Sequence, residues 1–82
     1  MNIAKYPIGL HLIYDKETRG IRYPNGYKRI IKSIEESENG FIYILNGYEP
    51  GVFEESEIEI NFSYSNKEYD DLRLKSIVDN FQ

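Results

Sequence analysis

The 82-residue sequence predicts a mainly β domain of about five short antiparallel strands followed by one C-terminal α-helix. Three observations predict it. Apolar and aromatic residues alternate in short runs separated by glycine-containing turns. Isoleucine and tyrosine are abundant while alanine occurs once, at Ala4. Beyond Ser65 the apolar spacing changes from two residues to three and four.

The elements follow in order. Leu10, Leu12 and Tyr14 alternate with His11 and Ile13, a strand with one face toward a core. A polar loop, DKETRG, leads to a hairpin in which Ile21–Tyr23 and Tyr27–Ile34 flank YPNGY. There Pro24 and Asn25 suit the centre of a type I turn, and Gly26 suits the left-handed residue of a bulge. Ser37-Glu38-Asn39-Gly40 forms the next turn. Its return strand FIYIL directs Phe41, Tyr43 and Leu45 to one face and Ile42 and Ile44 to the other, so that second face needs a cover. NGYEPG forms a third turn region, and VFEESEIEI reads as two short strands around a corner near Ser56. Ser65 and Glu68 have capping-box spacing. Leu74, Ile77, Val78 and Phe81 recur at helical intervals, which predicts a helix over 65–81. This helix is the candidate cover for Ile42 and Ile44; alternatively its apolar stripe joins two copies of the chain.

A chain of this length builds one small core, so residues 1–82 form a single domain. With no cysteine, neither disulfides nor thiolate metal sites add to that core. The N-terminal stretch is interrupted by Pro7, Gly9 and His11, which fits neither a signal peptide nor a membrane span. A soluble, cytoplasmic protein is the expectation. Charge is uneven: residues 1–33 carry seven Lys/Arg against two Asp/Glu, and residues 34–82 carry three against twelve. The halves are therefore +5 and −9, giving −4 in all.

Short strands, a long polar loop after the first, consecutive hairpins and a closing V-F-E-E-S-E-I-E corner resemble a small SH3-like barrel over residues 7–60. The opening H-L-I-Y-D is similar to the start of eukaryotic SH3 domains, where Tyr14 and Asp15 match an Ala-Leu-Tyr-Asp-Tyr run. Lys16 stands at the second tyrosine, and the chain has no tryptophan. The closer likeness is to small SH3-like proteins of bacteria and their prophages, through the early Gly-Leu strand and the final acidic corner. It implies a fold more than a function.

Candidate chemistry is sparse. His11 is the single histidine and lacks a nucleophile or carboxylate at motif spacing, so a structural or surface role is its default reading. On a strand, Glu55, Glu57 and Glu59 share one face. That arrangement suits a protective acidic edge or, with Glu35, Glu36 and Glu38, a field imitating a phosphate backbone. The stretch RGIRYPNGYKRIIK gathers Arg19, Arg22, Tyr23, Tyr27, Lys28 and Arg29. If Tyr23 faces Tyr27, then Arg22 faces Lys28, a repulsion that an anion would relieve.

The expected function is a non-enzymatic protein-binding module, a small bacterial or phage-encoded inhibitor or regulator that docks on a larger protein. Its expected partner contacts are those six residues of the basic hairpin, because tyrosine and arginine are enriched in interface hot spots. No catalytic residue, cofactor or metal is expected. The alternatives are a nucleic-acid-binding barrel using the same hairpin and an acidic DNA mimic.

Overall fold

The computed structural model describes residues 3–14, 27–47 and 51–80, with side chains through Ser76. Within them, five antiparallel strands form one curled sheet in the order β4-β3-β2-β1-β5, a half-barrel carrying a C-terminal helix. The expected fold class is the one found. The strands are β1 (His11–Tyr14), β2 (Lys28–Ser37), β3 (Gly40–Leu45), β4 (Val52–Glu54) and β5 (Phe62–Ser63). Helix α1 spans Glu55–Asn61 and helix α2 spans Asn66–Asn80.

The curl originates in β2. Ile31 pairs with Leu45 but Ser33 pairs with Ile44, so one extra residue stands in β2 at this point. Such a bulge bends the strand and changes which residues face inward. Before it, Arg29 and Ile31 face the core; after it, Ile34 does. One long strand thereby serves both halves of the sheet, pairing with β1 through His11↔Ile30 and with β3 as far as Ser37↔Gly40. The predicted turn at Glu38-Asn39 closes that hairpin, with Gly40 at φ +125°, a conformation that favours glycine. The YPNGY turn lies outside the described residues.

Leu10, Leu12, Tyr14, Ile31, Tyr43, Leu45, Phe53 and Phe62 fill the concave face, and Ile58 of α1 closes it. Each such side chain contributes roughly 1.5–3 kcal/mol by leaving water. Aromatic rings carry the packing outward from the sheet. Tyr6 meets Tyr43 and Tyr64 edge-on, each at 5.6 Å between centroids, and Tyr64 meets Tyr69 of α2 at 5.4 Å. All six described tyrosines are buried or packed against the core. Their abundance therefore reflects the needs of a small core, not a stock of surface hot spots.

Two expectations are corrected. Residues 55–61 form a helix, not strands around a corner, because E-E-S-E makes a capping box: the Glu54 amide donates to Glu57 Oε1 at 3.0 Å, and Glu54 caps in return. Ile58 is then the one residue of the segment that must be buried, and Ile60 stays exposed. The C-terminal helix does form, but it does not lie over Ile42 and Ile44. It is held against residues 4–11, where Tyr69 Oη donates to the Lys5 carbonyl at 2.6 Å and Leu72 reaches Gly9. The inward face is thus Glu68, Tyr69, Leu72 and Arg73, whereas Leu74, expected in the apolar stripe, is 61% exposed. Ile42 and Ile44 remain half-buried on the convex face beside Glu54 and the exposed Val52.

Candidate interaction surface

The six predicted contact residues separate. Arg19, Arg22 and Tyr23 lie outside the described residues, as does the Arg22–Lys28 pairing. Tyr27 is half-buried, tilted against Tyr14 at 5.8 Å between centroids. Lys28 is exposed at the sheet surface opposite Ile13. Arg29, expected at the partner surface, is interior, with 2% of its surface exposed.

The position of Arg29 follows from its strand. It alternates with Lys28 and Ile30, shares the inward face with Ile31, and sits opposite Leu12. A guanidinium there must be hydrogen-bonded to offset its desolvation. Its Nε donates to the Asn46 carbonyl at 2.6 Å, its Nη1 donates to Tyr14 Oη at 2.9 Å, and its Cζ stands 5.8 Å from the Phe53 ring. Asn46 is fixed in turn by the Ile30 amide, which donates to its Oδ1 at 2.8 Å. Gly47, at φ +96°, passes so close that a Cβ there would stand 3.6 Å from Arg29 Nε. This residue organises the turn after β3 and is not offered to a partner.

The acidic residues likewise have separate tasks. Glu55 Oε2 accepts from Tyr43 Oη at 2.7 Å, Glu57 caps α1, and Glu59 pairs with Lys5. On a helix they do not form the single acidic face that a strand would give. Burial, reinforced by the adjacent Glu55, pushes the Tyr43 hydroxyl well above the ordinary phenol value, and burial pushes Tyr6 up to about 12.

His11 has a carboxylate partner that no motif spacing announced. Glu68 Oε1 accepts from the His11 amide at 2.6 Å, and Oε2 stands 3.0 Å from Nδ1. Together with Ile13, Lys28 and Ser65 they line a shallow depression of about 290 Å³. The hydrogen bonds from His11 hold the Glu68 carboxyl below the usual carboxylate range, the backbone amide contributing most.

Two larger depressions meet at Ile3. One, about 400 Å³, runs between the N-terminal segment, β2 and α2, with Ile3, Pro7, Ile8, Ile34 and Leu72 among its apolar lining. Ile3 is 78% exposed and Ile8 57%. Its charged lining residues, Arg73 and Lys75, are both cationic. The other, about 440 Å³, lies at the open end of the β2–β3 hairpin; Phe41 and Ile42 supply apolar lining, and its charged residues, Glu54 and Glu55, are both acidic. Sequence reading missed this surface because it unites positions more than sixty residues apart with no motif at any of them.

Among the described residues, no group of three or more metal-ligating side chains converges, and no helix is long and apolar enough to cross a membrane. Compared with known proteins, the chain matches no protein family, no curated protein and no solved structure.

Proposed function

We propose that this chain is a non-enzymatic protein-binding module that docks on a larger protein, in the manner of a small bacterial or phage-encoded SH3-like inhibitor or regulator. The observation that carries the proposal is the groove lined by Ile3, Ile8, Ile34 and Leu72, an apolar concavity open to water and bordered by Arg73 and Lys75. Exposed apolar surface rimmed by polar groups is characteristic of protein interfaces. Its walls are already tied together: Tyr69 and Arg73 of α2 both donate to main-chain carbonyls of residues 4–5. Docking on a preformed groove spares the entropy of ordering it.

The occupant we assign is a partner segment with apolar side chains flanked by acidic ones, because among the described residues every charged side chain lining the groove is cationic. The curled five-stranded sheet supports the SH3-like reading, and the chain's small size supports action by docking. The test places a photo-crosslinking residue at position 8 and, as a control, at the comparably exposed position 60. The proposal expects a crosslink from position 8 alone, competed by unlabelled protein, to a peptide that is apolar and acidic. Equal crosslinking from both positions contradicts it. Salt-sensitive binding of single-stranded oligonucleotides that survives substitution of Ile8 would favour the nucleic-acid alternative.

A further inference from the structure

We propose that the second depression, between the β2–β3 hairpin and the start of α1, is a receptor for a lysine or arginine side chain of the partner; this rests on the protein-binding reading above. It has the two surfaces that an amphipathic cationic side chain requires. Phe41 and Ile42 offer apolar contact for the aliphatic stem, and Glu54 and Glu55 offer carboxylates for the charged head. Among the described residues no cationic side chain lines the depression, so its walls offer these carboxylates no competing charge.

Glu55 is held in place for this role. Tyr43, fully buried, donates its hydroxyl to Glu55 Oε2 at 2.7 Å, which orients the carboxylate while leaving Oε1 to accept another donor. Glu54 is positioned by the capping box of α1. A preorganised acceptor pair of this kind favours a donor with several N–H groups over a hydrophobic or acidic group. The depression also shares Ile3 with the cationic groove. The docking surface therefore has polarity: the partner segment places its acidic residues by Lys75 and its basic residue between Glu54 and Glu55. That polarity fixes one direction of binding, since reversal would set like charges together.

The experiment titrates isotopically labelled protein with N-acetyl-arginine N-methylamide and, separately, with its neutral citrulline counterpart, followed by amide NMR signals. The arginine compound should shift the signals of Phe41, Ile42, Glu55 and Ser56 saturably. Citrulline should bind at least roughly tenfold more weakly, since it keeps the shape but loses the charge. A Glu54→Gln, Glu55→Gln double variant keeps the acceptor oxygens that serve Tyr43 and the helix cap and should abolish the difference. Equal responses to the two compounds, responses scattered over the surface, or no response at tens of millimolar overturn the inference. The citrulline comparison uses the native protein and holds even if the double variant fails to fold. Failure here with the position-8 crosslink intact removes only the cationic receptor, whereas loss of that crosslink with arginine binding intact removes the apolar groove.

Discussion

Glu68 fastens the first turn of α2 to β1 through His11, accepting the backbone amide at 2.6 Å and facing ring Nδ1 at 3.0 Å. Ser65 caps the helix by accepting the Glu68 amide at 3.3 Å, but the Glu68 side chain does not fold back to complete the box. It is diverted to the strand, so a local capping signal has become a tertiary tie. With its carboxyl pKa held below the ordinary value of 4.5, Glu68 contributes stability that is present above about pH 4.5 and is lost as pH falls through its lowered folded value. Glu68→Gln should cost about 0.5–1 kcal/mol at neutral pH, modest because the site is partly solvated, and should flatten the acid limb of stability against pH. Urea melts between pH 3 and 7 measure both.

Arg29 and Lys28 are neighbours in sequence with opposite fates. Arg29→Ala removes a buried cation and leaves the Asn46 carbonyl and Tyr14 hydroxyl without its donors, so the loss should be about 3 kcal/mol. Lys28→Ala should stay within about 0.5 kcal/mol of wild type. Equal thermal shifts for the two variants would place Arg29 on the surface.

Tyr43 joins three parts of the molecule, accepting from the Tyr6 amide at 3.2 Å and donating to Glu55 at 2.7 Å. Tyr43→Phe should cost about 1–2 kcal/mol, chiefly by leaving the buried Tyr6 amide unpaired. The pH dependence has a definite sign. Tyr6 and Tyr43 both hold their protons more tightly folded than unfolded, so their contribution is complete below about pH 10 and declines as pH rises toward the folded values, about 12 for Tyr6. Alkaline unfolding should therefore begin near pH 10, and Tyr43→Phe should lessen its steepness.

Gly47 tests the same region through the backbone. At φ +96°, a Cβ on this residue would lie 3.4 Å from Tyr27 Oη and 3.6 Å from Arg29 Nε, so Gly47→Ala adds both strain and crowding. A loss of about 1–2 kcal/mol is expected. A thermal shift no larger than that of Lys28→Ala would show that the turn adapts freely.

How far the sequence revealed this molecule depended on the kind of signal. Period-two alternation and turn residues sufficed for β1, for the Ser37–Gly40 hairpin and for the sheet-dominated fold, since these are local properties. Alternation misled at Glu55–Asn61, where E-S-E-I-E-I has strand periodicity but the Glu54/Glu57 cap selects a helix. The inward placement of Arg29 was legible in principle from its parity with Ile31; positive charge argued the other way. The helical stripe beginning at Leu74 was read as the packing face, yet Tyr69, Leu72 and Arg73 make the contacts because the N-terminal segment presents carbonyls and Gly9 to them. No local signal could have joined Ile3 and Ile8 to Leu72.

Docking through the apolar groove is tested most directly by the affinity of the crosslinked partner for Ile8→Asp and Ile60→Asp, measured by calorimetry on proteins with matched thermal stability. Ile8→Asp should weaken binding by at least roughly thirtyfold, about 2 kcal/mol, by putting a carboxylate into the groove, while Ile60→Asp should change it less than about twofold. Equal affinities for the two variants would show that the partner docks elsewhere.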